Sequence, residues 1–224
     1  MKNNIISKED IKTILTITFV VVELLSLLFN SFFVKINIGS YYFTLNYSVV
    51  FFCIGFFIVD IINDFFSFKE AYKFFYYKIY SQLLFLSLSY SAINVYGLEN
   101  TMIAKMVYES PWTIFSGIIA TYFGYKVMGK IMDTLKLYYQ GSSVFRRYIC
   151  STLPGEILFS FIFSILSFSY GRNFNDVLHI FTASCMAKIV LSVVFSIIIS
   201  FLLKIRISNS IESNTYSKNV KTIY

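Results

Sequence analysis

The chain has 224 residues, 57% of them hydrophobic and 14% charged, with a formal net charge of +7 and a mean hydropathy of +0.67. A soluble domain carries about 25% charged residues, so this composition excludes an ordinary soluble enzyme and points to a membrane protein. Cys53, Cys150 and Cys185 are odd in number, lie in apolar stretches and lack metal-ligand spacing, so neither a disulfide framework nor a metal site follows.

Apolar stretches of about 20 residues, the length that crosses a bilayer, fall at roughly 11–34, 42–66, 77–96, 111–132, 148–170 and 177–203. The first carries Lys12 and Glu23 and no small-residue cleavage site, which reads as a retained helix rather than a cleaved signal. The expectation is an all-α, polytopic membrane protein: one six-helix transmembrane domain over 1–206, then a polar, disordered cytoplasmic tail over 207–224. With the N-terminus inside, fifteen Lys and Arg fall in inner segments, among them Lys78, Lys136 and Arg147, against Lys35, Lys105 and Arg172 outside. That asymmetry sets both termini in the cytoplasm. It also accounts for the positive charge without a nucleic-acid partner. The sequence shows no phosphate-binding glycine loop, ATPase motif or nucleophile–base pair, so neither an enzyme nor a cofactor is expected.

Within the spans the polar residues carry the information. A carboxylate at the centre of a membrane helix costs about 2.5–3.5 kcal/mol on insertion scales and normally faces the bundle interior. Asp60 lies about 9 Å from the inner end of the second span, with Asn63 a turn closer to the cytoplasm. Glu23, Glu156 and Lys188, on three other spans, fall at similar depth. Two readings stay open. Lys188 pairs with Asp60 or Glu156 and holds helices together, or the acids and Asn63 form a polar pocket for a hydrogen-bonding solute or a proton.

Pro154-Gly155-Glu156 suggests a helix break lining that pocket, since proline removes a backbone hydrogen bond, and an ordinary kink is the alternative. Ser116, Ala120 and Gly124 recur every fourth residue and read as a close-packing face. Lys126 and Lys130 snorkel to headgroups, whereas Arg147, a turn before Ser151 and Thr152, can reach a cavity mouth. His179 is a boundary residue.

These residues resemble the queuosine precursor transporter family, also called the vitamin uptake transporter family. Its pattern has Asn five residues before Lys at the end of the first helix, here Asn30 and Lys35. It then has Asp, two residues, and Asn followed by an acid, here Asp60, Asn63 and Asp64, before the basic stretch SFKEAYK. Arg147 stands four residues before Ser151 and Thr152, Glu156 occupies the place of the family's Gln, and Lys188 matches a Lys of the last helix. The chain departs from the pattern at Gly124, Tyr125 and Met128, where the family has Ser-Gln and an acid, and at Phe159, where it has Asp.

The resemblance implies uptake of deazaguanine-type queuosine precursors or queuine across a bacterial inner membrane, feeding tRNA modification. It implies substrate binding by Asn30, Asp60, Asn63, Asp64, Arg147, Ser151, Thr152, Glu156 and Lys188. The expected partners are a purine-like small molecule and the lipid bilayer, with homo-oligomerisation left open. Rival readings are a carrier of another vitamin or nucleobase with an energising partner, and a membrane assembly protein whose charges are interhelical pairs.

Overall fold

The computed structural model describes residues 7–38, 41–139, 144–168 and 173–221. Lys2 and Arg172 of the charge count and residues 222–224 of the tail lie outside them. Helix α1 (Lys8–Phe29) starts on a capping box in which Ser7 Oγ accepts the Asp10 N–H and the Asp10 carboxylate accepts the Ser7 N–H, satisfying two N-terminal donors. It stops short of the expected residue 34, because the chain next forms an antiparallel hairpin. Strands β1 (Phe33–Ile38) and β2 (Tyr41–Asn46) pair with Phe33 opposite Asn46 and Ile38 opposite Tyr41. The sequence reading absorbs parts of both strands into flanking spans. Their signal is a two-residue alternation rich in β-branched residues (Val34, Ile36, Ile38) ahead of Gly39-Ser40, a pattern that total hydrophobicity hides.

Helix α2 (Ser48–Phe65) leads through a short turn to α3 (Phe68–Tyr96), where Ser67 Oγ accepts the Glu70 N–H. α3 ends on Gly97 in the left-handed region, at φ 62°, a conformation glycine adopts without a Cβ clash. Helix α4 (Met102–Tyr139) runs through Pro111, α5 (Val144–Phe168) through Pro154, and α6 spans Phe174–Lys221. The expected break at Pro154 is therefore absent, and α5 is continuous there. α6 is helical across residues 207–221, which the sequence reading leaves disordered; no proline or glycine interrupts it locally.

Almost all regular structure is helical, as a membrane-type fold requires, since lipid offers backbone polar groups no partners. Among the described residues four helices are long and apolar enough to cross a membrane: α1, α2, α5 and α6 as far as Phe201. The 29-residue α3 and 38-residue α4 have the length but carry more polar residues.

Packing explains where the polar residues go. α2 touches each of the other five helices and so forms the axis of the bundle. α4 and α5 share the most extensive helix contact. A Cβ on Gly155 would come within 2.9 Å of the Gly124 carbonyl oxygen; Ser116 and Ala120 on the same α4 face are fully buried. The small-residue face is thus a packing face. Phe19, Phe52, Phe56, Phe74 and Phe159 fill the interior around the buried charges. The bundle has two distinct ends, one carrying the hairpin and the other carrying the starts of α1 and α5 and the finish of α2 and α4.

Candidate functional site

The ionisable groups singled out by depth lie inside the bundle. Glu23, Asp60, Glu156 and Lys188 are all buried, none more than 3% exposed. Asp60 accepts a hydrogen bond at Oδ2 from the Thr152 hydroxyl, while its Oδ1 has no hydrogen-bond partner among the described residues. Glu156 Oε2 accepts from Ser192 Oγ at 2.7 Å, and the Cys53 thiol lies beside the same carboxylate. Ser151 Oγ turns back onto the Tyr148 carbonyl at 3.1 Å, a local contact within α5.

Lys188 departs from the expectation that it pairs with Asp60 or Glu156. It forms no salt bridge among the described residues. Its ammonium lies 4.4 Å from the Phe159 ring centroid and 5.8 Å from those of Phe52 and Phe56. A desolvated ammonium over aromatic faces is attracted by the ring quadrupoles, which explains how a base tolerates this position.

The base that does pair is Lys78, read from sequence as an inner-surface charge. Its ammonium is 2.9 Å from Glu23 Oε2, with both side chains 1% exposed. Because α3 begins at Phe68 rather than 77, Lys78 is about 15 Å along the helix and inside the core. Glu23 therefore belongs to a structural ion pair. Correct placement of the start of α3, from the Ser67 cap and Glu70 three residues on, is the signal that locates Lys78.

The remaining candidates divide between the two ends. At the hairpin end, the Asn46 amide donates to the Asn30 carbonyl at 2.6 Å and to Asn30 Oδ1 at 3.1 Å, and Ser48 Oγ donates to Asn30 Oδ1 at 3.3 Å. Asn30 also borders an open cavity of about 730 Å³, lined by Phe33, Tyr108, Glu109, Trp112 and Thr113 among others. Asn30 is thus separated from Asp60 by most of α2, about 18 Å from Ser48 along the axis. Between them a gap of only about 20 Å³ runs beside Asn46, Ser48, Phe52 and Phe163 to Lys188. The expected wet chamber is in this conformation almost filled by phenyl rings, and the large space lies at the hairpin end instead.

At the opposite end the polar side chains are tied together. Arg147 forks onto Asp64, Nη1 to Oδ1 at 2.8 Å and Nη2 to Oδ2 at 3.3 Å, and the Tyr148 hydroxyl reaches Asp64 Oδ2 at 3.4 Å. The Lys136 ammonium donates to the Asn63 carbonyl and, at 3.0 Å, to Asn63 Oδ1, leaving Asn63 Nδ2 without a partner. Lys12 and Lys73 both pair with Glu70, at 2.7 and 2.6 Å; these partners hold the Glu70 carboxyl down at about 2. Arg147 is therefore bound to Asp64 rather than free at a cavity mouth. Lys136, Tyr148, Asn46 and Ser48 are functional candidates that sequence reasoning missed, because each acquires meaning only through a partner on another element. Among the described residues no group of three His, Cys, Asp or Glu side chains is placed to hold a metal ion.

A helical membrane bundle with ionisable groups from five helices buried in its core and a cavity at one end has the build of a membrane transport protein. A family model described as putative vitamin uptake transporter matches residues 46–202. The chain belongs to that family, and it is accordingly a multi-pass transport protein rather than an enzyme. Neither a curated protein nor a solved structure matches the chain.

Proposed function

We propose that this protein is a six-span importer of deazaguanine-type bases, queuosine precursors or queuine, in a bacterial inner membrane with both termini in the cytoplasm. The observation that carries the reading is a set of buried polar atoms that lack hydrogen-bond partners among the described residues, from Lys188 Nζ and Asp60 Oδ1 in the core to Asn63 Nδ2 toward the opposite end. Buried polar groups are normally satisfied, and a transported solute with its own donors and acceptors supplies what the protein omits. Asp60 accepts from the N–H edge of the base, Asn63 and Lys188 donate to its carbonyl and ring acceptors, and Phe52 and Phe159 flank the flat ring.

In this reading the solute enters by the cavity at the hairpin end, past Asn30. Thr152 orients Asp60, Glu156 offsets the charge of Lys188, and the Asp64–Arg147 pair closes the path below. Movement of Phe52, Phe159 and Phe163 opens the narrow gap, since alternating access requires the binding layer to face one side at a time. α3 and α4 cross the membrane with their polar faces turned inward, where Lys78 and Gln82 are buried.

The test is growth and tRNA modification in a strain that cannot make queuosine, supplied with the cyano or aminomethyl deazaguanine or with queuine. Wild-type protein restores queuosine in tRNA. Asp60→Ala abolishes the rescue while immunoblotting shows unchanged amounts in the membrane. Normal rescue by Asp60→Ala removes the pocket assignment. The family description favours a second reading, a carrier of a different vitamin; rescue by none of the three bases, with co-purification of an energising ATPase subunit, would establish it.

A further inference from the structure

The buried charges of the core do not balance. Glu23, Asp60 and Glu156 are three acids, each at most 1% exposed, and Lys78 and Lys188 are two bases, at most 3% exposed. Lys78 is committed to Glu23 at 2.9 Å. Lys188 acts electrostatically on Glu156, which also holds the Ser192 hydroxyl. Asp60 is left with a neutral partner, Thr152. A buried carboxylate without a cation is stable only when something neutralises it.

The groups around Asp60 do not do so. On its own helix Asp64 is an acid already paired with Arg147. From α5 come Tyr148 and Glu156, and from α4 come Tyr125 and Lys136. The Lys136 ammonium is occupied at Asn63. The charged core residues of α1, α3 and α6 are Glu23, Lys78 and Lys188, and none forms an ion pair with Asp60 among the described residues.

We propose that Asp60 carries the proton whose entry drives uptake, binding it at Oδ1, the oxygen that Thr152 leaves free. The proposal rests on the transport reading above and adds its energy source. With the proton in place the core layer holds two charged acids against two bases and is neutral, so it can turn between its two open forms without a net charge. The protonated carboxyl also presents an O–H donor beside its Oδ2 acceptor, which matches the adjacent carbonyl and N–H of a lactam such as a deazaguanine. The proton binds from the hairpin side before the solute does, and leaves Oδ1 on the cytoplasmic side once the solute has gone. The layer is then negative, and a membrane potential negative inside drives it back outward.

Two measurements on the full chain test this. In proteoliposomes clamped at zero membrane potential, with radiolabelled cyano deazaguanine, an uncharged base, as probe, an outside-acid gradient of about one pH unit should support up to about tenfold accumulation at one proton per solute. A sodium gradient at uniform pH should support none. By infrared spectroscopy of the solute-free protein, a protonated-carboxyl band that shifts in heavy water should be present, vanish in Asp60→Asn and persist in Glu156→Gln. Accumulation driven by sodium alone, or a band untouched by Asp60→Asn, overturns the proposal. Vesicles that take up no probe under any gradient would refute the choice of solute instead, and the infrared band would still decide whether Asp60 holds a proton.

Discussion

The two ends of the bundle are held by different chemistry. At the hairpin end, Asn30, Asn46, Ser48 and Thr113 form neutral hydrogen bonds beside a cavity of about 730 Å³. At the opposite end, Arg147–Asp64, Lys12–Glu70 and the Lys136 ammonium on Asn63 join α5 to α2, α1 to α3 and α4 to α2. Neutral hydrogen bonds border the cavity at the hairpin end, whereas charge-assisted bonds tie the helices together at the opposite end; in the proposed path these are the entrance and the exit. The second kind is stronger and more geometrically specific. In the importer proposed above, a path open at the hairpin end and tied at the other would correspond to the outward-facing half of an alternating cycle. The bases that produce the sequence asymmetry thus also tie helices to one another, as Lys12, Lys136 and Arg147 do.

The largest effect should come from the layer between the ends. Lys78→Met leaves Glu23 as an uncompensated buried charge and should cost about 3–5 kcal/mol, read as a large fall in the thermal unfolding temperature of the detergent-solubilised protein. Glu23→Met combined with Lys78→Met should recover most of the loss. If the single and double variants unfold alike, the ion pair contributes nothing of its own.

The latch itself should respond next. Asp64→Asn removes the charge that Arg147 holds and should cost about 1.5–3 kcal/mol. Amide hydrogen exchange should quicken at residues 60–66 and 144–150 and stay unchanged at residues 30–48. Equal loosening of both ends would erase the distinction between entrance and latch.

The smallest effect should be at Glu70. Its pKa lies at about 2 in the folded protein, below the ordinary 4.5. A depressed acid stabilises the fold above its unfolded value, so its contribution is present above pH 4.5 and fades as the pH falls toward about 2. The pair is at the surface and screened by solvent, so Glu70→Gln should only flatten the acid limb of a stability-against-pH curve slightly. An unchanged acid limb would show that the Lys12–Glu70 tie does not contribute to closing that end.

Much of this molecule could be read from its residues. Long apolar runs force helices because lipid leaves no partner for free backbone groups, and the Lys and Arg bias predicts an orientation. Asp60, Glu23, Glu156 and Lys188 stood out because an ionisable group amid apolar neighbours is costly unless it faces inward, and all four are indeed inward. The hairpin was hidden because strands and membrane helices are both apolar, and only the alternation within 33–46 separates them.

Partners were a different matter. One-dimensional spacing predicted a direct pair between Lys188 and an acid, where the structure sets its ammonium over phenyl rings, and a surface position for Lys78, which moves into the core because α3 begins nine residues earlier. Which carboxylate meets which base depends on helix rotation and neighbour order, set by the sum of many packing contacts such as Gly124 against Gly155. The primary structure therefore determined that charges had to be buried in an otherwise apolar bundle, through the free energy of placing polar groups in lipid. Only the three-dimensional arrangement decided that Asp60 was the acid left without a base, because pairing is a matter of distance between helices far apart in the chain.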